Sequence, residues 1–268
     1  MAINRIYIPT YGRVGKQKTY DNLPDKWKEK TYLVVSPDEI HSGYQTISCP
    51  IQGQGIAPVR EWIVKQSQEE KICMFDDDLE FVYTRKKDEK GPTNKPLTEI
   101  QFDDMFDQMD RWLDDHVFCG LDATWSHPRF GKTVPVDGKF CGRVCGNIFY
   151  NIKTLPINEL NWTDLEVSED YNITLQLLTK GFPNKISTGY RVNPVGNFSL
   201  GGCSSQRTIK LHNESFIKLQ EKFPKFVTLK EKVQNSGLWK GQKRLAAVIQ
   251  WKKAYESSQI NTLEEFMR

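Results

Sequence analysis

The stretch Ile72-Cys73-Met74-Phe75-Asp76-Asp77-Asp78-Leu79-Glu80-Phe81 decides how the rest of the chain is read. An apolar run that stops at three carboxylates reads as a buried strand delivering acids to the carboxyl edge of a sheet, where open α/β folds bind ligands. Carboxylates this close repel one another unless a cation sits among them, and hard oxygen donors suit magnesium or manganese. Residues two apart on a strand share a face, so Asp76 and Asp78 form the expected pair and Asp77 points away. A solvated acidic turn is the competing reading. The strong apolar residues on both sides favour the metal.

With 268 residues, the chain suffices for one large domain, or one domain with a small appendage. It has no apolar run near the roughly twenty residues of a membrane span, and its start lacks the pattern of a signal peptide. The expectation is a cytoplasmic protein with no membrane partner. Its six cysteines contain no C-x-x-C pair, which argues against a zinc site and against a secreted disulfide scaffold. Net charge is only +3, but it is unevenly spread. Ser205 to Lys253 holds twelve Lys or Arg against three Glu, whereas Glu99 to Asp122 holds eight acids and one Arg.

Taken in order, Arg5 to Thr10 is a first strand, and Tyr11-Gly12-Arg13 opens the glycine-bearing turn after it, a usual place for phosphate contacts. Thr31 to Val35 is a second strand. Gly53-Gln54-Gly55 and Pro58 lead into a helix running to about Gln68, with Arg60 in its first turns. Arg60 suits a diphosphate, or equally an ion pair with Glu61 or Glu69. Thr84 to Pro96 reads as a loop. Thr98 caps a helix whose apolar stripe is Phe102, Met105, Phe106, Met109, Trp112 and Leu113, and whose acidic face meets water.

Gly120 to Gly138 is irregular and carries Trp125 and Arg129, a candidate acceptor-contacting segment. In the strand or hairpin that follows, Gly146-Asn147 marks close approach by a ligand or backbone, or a bulge. Ser168 is an expected N-cap, with Glu169 and Asp170 in the first turn of its helix. Acids stabilise helix starts in general, and a carboxylate there can also serve as a general base. His212 alone reads as a structural histidine or a ligand. Beyond it the chain is basic and reads as helical, and Trp239, Lys240, Lys243 and Arg244 mix cations with aromatics as a nucleic-acid surface does.

This order of motifs resembles the GT-A glycosyltransferases over residues 5 to 212: the opening Ile8 to Arg13, Gly55 to Arg60, Asp76-Asp77-Asp78, Gly146-Asn147, Glu169-Asp170 and a late His212. Within that superfamily, Tyr7 to Arg13, Tyr32 to Pro37 and Gln54 to Arg60 are similar to the TET-associated glycosyltransferases of bacteriophages. The resemblance implies an α/β, Rossmann-like mixed sheet flanked by helices over 1–212, with a helical, basic extension over 213–268. It implies transfer from a UDP-sugar to a hydroxymethylated pyrimidine such as 5-hydroxymethylcytosine, in double-stranded DNA, with manganese or magnesium. Thr10, Arg13 and Arg60 would border the nucleotide or its diphosphate, Asp76 would lie near the ribose, and Asp77 groups with that donor site. Asp78 and His212 would bind the metal. Asp170 would be the base of an inverting reaction or orient the acceptor of a retaining one, with Glu169 beside it. Trp125, Arg129, Lys240, Lys243 and Arg244 would face the acceptor. A transferase acting on a surface glycan or a protein would share the donor site, and a non-catalytic nucleotide- or DNA-binding module would keep the basic region without needing Asp76, Asp78 and Asp170 together.

Overall fold

A computed structural model describes residues 3–85, 90–126, 138–194, 207–235 and 239–266. In chain order the elements are β1 (Arg5–Pro9), α1 (Lys18–Asp21), α2 (Asp25–Lys28), β2 (Thr31–Val35), β3 (Thr46–Ser48), α3 (Ile56–Gln66), β4 (Lys71–Phe75), β5 (Leu79–Thr84) and β6 (Asn94–Pro96). They continue as α4 (Glu99–Asp115), β7 (Phe118–Ala123), β8 (Lys139–Phe140), β9 (Asn147–Asn151), α5 (Glu169–Thr179), β10 (Lys185–Pro194), α6 (Ile209–Lys222), β11 (Val227–Val233), β12 (Lys243–Ile249) and α7 (Trp251–Phe266).

The main sheet runs in the order β3-β2-β1-β4-β9-β7-β10-β5-β6, with β8 on β10. Strands β1 to β4 pair in parallel, and β9 enters antiparallel between β4 and β7. Strand β4 explains its own composition: Cys73 and Phe75 face the core under α2 and α4, and Ile72 and Met74 face the core under α3 and α5. A strand covered on both faces is apolar throughout. This mixed α/β sheet with helices on both faces is the architecture expected from the sequence.

Helix α4 is set by its capping box, in which Thr98 accepts from the Gln101 amide and Gln101 from the Thr98 amide. Its buried stripe is the predicted one, each side chain contributing about 1.5–3 kcal/mol by leaving water. Its acidic face is less idle than expected. Asp110 and Asp114 hold the buried ammonium of Lys71, and Asp103 accepts from Lys26 and the Trp27 indole. The segment read as a loop before it contains β6, which pairs with β5.

The basic C-terminal region corrects another expectation. It is helical in α6 and α7, but between them β11 and β12 form an antiparallel hairpin. Leu229, Leu245, Ala247 and Ile249 pack this hairpin onto a third core with Leu175 and Leu178 of α5 and Phe216 and Leu219 of α6. Helix α6 also closes the outer edge of β12, since Asn213 accepts from the Leu245 amide and His212 lies 3.0 Å from its carbonyl. Residue 212 therefore falls inside a helix that joins sheet and hairpin.

Asn147, at the start of β9, is wholly buried and acts as a connector. Its carboxamide oxygen accepts from the Leu121 amide at 2.6 Å, and its nitrogen donates to the carbonyls of Leu121 and Cys145. Replacing Asn147 by Ala strands buried β7 groups without partners, a loss of about 2–3 kcal/mol. Thermal denaturation of Asn147→Ala should show a Tm lower by roughly 5–10 °C.

Candidate active site

The three carboxylates occupy a tight turn between β4 and β5, because the strand ends at Phe75. Side-chain alternation therefore does not extend across all three, which corrects the basis on which Asp76 and Asp78 were paired. Each acid instead has its own environment. Asp76 meets Arg60 of α3 at 2.6 Å. Asp77 is buried and accepts from Thr10 at 2.7 Å and from Arg13. Asp78 shares the same Arg13 nitrogen, Nη1, at the longer distance of 3.3 Å, and is the more weakly compensated of the two carboxylates that Arg13 serves.

The turn is held by backbone as well. Thr19 of α1 accepts from the Leu79 amide and donates to the Asp76 carbonyl, while the Asp76 amide donates to the Gly146 carbonyl at 2.7 Å. Gly146 sits at φ +67°, and a Cβ there would lie 2.5 Å from the Asp76 carboxylate. The close approach read from Gly146-Asn147 is thus an approach by the acidic turn.

Arg60 is the hinge of the site. Its side chain is buried, and besides Asp76 it binds Glu169 at the start of α5. Burial alone would lower its pKa, but the charges of Asp76, Glu169 and Asp170 outweigh that and raise it. Its guanidinium is thus committed to carboxylates, where the sequence suggested a nucleotide or diphosphate contact or a pairing with Glu61 or Glu69. Asp170 has a second arginine, Arg143, which also donates to the Tyr171 hydroxyl at 2.8 Å. Its guanidinium lies 4.0 Å from the Tyr171 ring and 5.5 Å from that of Trp125. Sequence reasoning missed Arg143; the signal was a cation inside the otherwise uncharged Cys141-to-Asn147 segment. Ser168 stands before α5 in the left-handed region at φ 66° and makes no side-chain cap, contrary to expectation.

These groups line one cleft of about 480 Å3, together with Trp125, His212 and Arg244. Arg129 lies outside the described residues. Lys240 is exposed beside the hairpin turn, and Lys243 is ion-paired with Glu231 rather than placed in the cleft. The other wall of the cleft carries Lys232 and Gln234 of the hairpin, which sequence reasoning also missed.

Burial and the charges of Asp76 and Asp77 push the Asp78 carboxyl up to about 6, with Arg13 opposing them. A carboxylate so destabilised by its like neighbours fits a position meant for a cation. His212 fits as a neutral donor. Burial lowers its pKa. Its Nε2 lies 3.0 Å from the Leu245 carbonyl and 3.3 Å from Arg244, and the tautomer that donates to the carbonyl has its lone pair on Nδ1. Among the described residues no three His, Cys, Asp or Glu side chains are grouped to hold a metal by themselves. Magnesium and manganese commonly take one or two carboxylates and complete their shell with substrate phosphates and water.

Residues 4–191 match the family described as TET-Associated Glycosyltransferase. Among curated proteins, the Beta-glucosyl-HMC-alpha-glucosyl-transferase of Enterobacteria phage T2 is 25% identical over 230 residues, covering 81% of this chain and 80% of its own. The phage T6 protein of the same name is 26% identical over 232 residues with the same coverage. Among solved structures, S. aureus TarS 1-349 in complex with UDP-GlcNAc superposes with a TM-score of 0.47 at 13% identity, over 82% of this chain and 67% of that one. The family match spans well over half of the sequence and takes in the acidic turn, Arg60, Arg143 and the Glu169-Asp170 pair. The chain belongs to the TET-associated glycosyltransferases, and it is a glycosyltransferase.

Proposed function

We propose that the enzyme moves a sugar from a UDP-sugar to the hydroxymethyl oxygen of a modified pyrimidine, 5-hydroxymethylcytosine, in duplex DNA. The observation that carries this reading is the acidic turn joined to the Glu169-Asp170 helix start across one cleft, in a chain whose family transfers sugars. Asp78 and the Nδ1 of His212 would hold a divalent cation. Bound there, manganese or magnesium supplies the positive charge that neutralises UDP as it leaves.

The remaining steps belong to the chain. Thr10 and Arg13 fix the turn so that Asp78 faces the donor, and Asp76 stands at the end of the Arg60 brace, beside the ribose. Asp170, kept in place by Arg143, takes the acceptor proton as the oxygen bonds to the anomeric carbon and the bond to UDP breaks, if the centre inverts. If configuration is retained, the same carboxylate orients the acceptor. A 5-hydroxymethyl group projects into the major groove, so the base is reachable with or without flipping.

A second reading follows from the T2 and T6 relatives, whose names specify a β-glucosyl-HMC acceptor and an α-glucosyl group transferred. There the acceptor oxygen belongs to a glucose already on the base. Mass spectrometry of nucleosides from DNA incubated with protein, manganese and a panel of UDP-sugars separates the two. One sugar mass added to 5-hydroxymethylcytosine supports the first reading, and a mass added only to β-glucosylated DNA supports the second. No addition to any DNA overturns both.

Asp78→Asn should abolish transfer while stabilising the metal-free protein. The folded-state pKa of about 6 lies above the ordinary 3.8, so the folded state binds more protons between those values. Stability then falls as pH rises through about 4 to 6 and stays lower above. The Asn variant escapes this loss of roughly 2–3 kcal/mol, and its Tm at pH 7 should exceed the parent's by about 5 °C. Manganese should raise the Tm of the parent and not of the variant. The metal dependence should also weaken about tenfold per pH unit below 6, as one proton competes for one ligand.

A further inference from the structure

We infer that the outward face of the β11–β12 hairpin, centred on Lys232 and Arg244, grips the phosphate backbone of the DNA strand whose base enters the cleft. The inference rests on the reading of DNA as acceptor and assigns it a docking surface. Alternation divides the hairpin cleanly. Leu229, Leu245, Ala247 and Ile249 pack inward on the third core. The opposite face carries Thr228, Lys230 and Lys232 on β11, against Val248, Ala246 and Arg244 on β12.

On that face Lys232 stands directly across from Arg244. Like charges directly opposed on a ladder destabilise it, so the pair needs a counter-charge from somewhere. Among the described residues neither cation has a carboxylate partner: Glu231 lies on the other face and is taken by Lys243, and Arg244 donates to Gln234 and to the Leu245 carbonyl. Both line the cleft, with Ala246 between them and the hairpin base. Lys230 extends the row along the same strand, opposite Ala246. The small alanine leaves room for a backbone to lie flat across the ribbon. A row of cations without an anionic partner among the described residues, running from solvent to the mouth of a transferase cleft, matches a polyanionic strand in charge and direction.

The ribbon is also rigid enough to position a strand. Its inner face is packed, and its outer edge is closed by Asn213 and His212 of α6. A two-stranded ribbon fits the major groove of B-DNA, where the 5-substituent of a pyrimidine projects.

The test uses the full chain, a duplex containing 5-hydroxymethylcytosine, and the Lys230→Ala/Lys232→Ala double variant. DNA affinity is followed by anisotropy across a salt series, and UDP affinity by calorimetry with manganese. Loss of two phosphate contacts should weaken DNA binding by about tenfold or more and flatten the log–log salt slope by nearly two, with UDP affinity unchanged. Lys232→Glu should weaken DNA binding further, and Lys230→Arg/Lys232→Arg should restore it. Unchanged DNA affinity and slope in the double variant would overturn the inference. So would a loss of UDP affinity without a loss of DNA affinity, which would give this face to the donor diphosphate. If the parent protein neither binds nor modifies the duplex, the DNA reading itself falls, and the inference with it.

Discussion

The buried guanidinium of Arg60, held between Asp76 and Glu169, is the interaction on which the site depends. It joins the acidic turn, between β4 and β5, to the start of α5, more than ninety residues later. Buried ion pairs contribute little net stability against a hydrophobic alternative, but removing one partner leaves an uncompensated charge and costs about 3–5 kcal/mol. Its value here is therefore geometric: turn and helix must sit where both carboxylates reach one arginine. Arg143 repeats the device one residue along, tying Asp170 to the segment before β9.

The charges around the turn do not balance, and the imbalance carries chemical meaning. Asp76, Asp77, Asp78, Glu169 and Asp170 face three guanidinium groups, those of Arg13, Arg60 and Arg143. Arg207, which also lines the cleft, adds its charge beside Glu169. Asp78 keeps the weakest compensation, and burial with the charges of Asp76 and Asp77 pushes its carboxyl up to about 6. The facing wall has the opposite surplus, in Lys232 and Arg244. A cleft negative on one side and positive on the other suits a reaction between a metal-bound diphosphate and a polyanionic acceptor.

What the sequence disclosed followed from how local the controlling interaction is. Strand β4 and helix α4 were legible because burial pattern and capping box lie within a few consecutive residues. The acidic run was legible as a site, but the separate roles of its three members were not, since they depend on Thr10, Arg13 and Arg60 arriving from other elements. Arg143 was hidden for the same reason, its partners lying 27 and 28 residues away. The hairpin was misread for a different one. Its cations and aromatics suited a helix in composition, while the period-two alternation of Val227 and Leu229 with Thr228, Lys230 and Lys232 was the stronger signal.

On the proposed assignment of Asp170 as base and Trp125 as an acceptor contact, the Arg143 contacts would couple acceptor binding to the chemistry. The Arg143 guanidinium fixes the orientation of the Asp170 carboxylate. Arg143 is itself stacked on Tyr171 and lies near Trp125, whose ring is more than half exposed at the cleft. An acceptor base or sugar packed on Trp125 would touch the same cation. It would exclude water from the Arg143-Asp170 pair and strengthen that interaction by lowering the local dielectric. On this proposal the carboxylate would be held most firmly with an acceptor bound, and least constrained when only water could be the nucleophile. A transferase that must avoid hydrolysing its donor gains from that order of events, because the reactive geometry is completed by the acceptor and not by the donor alone.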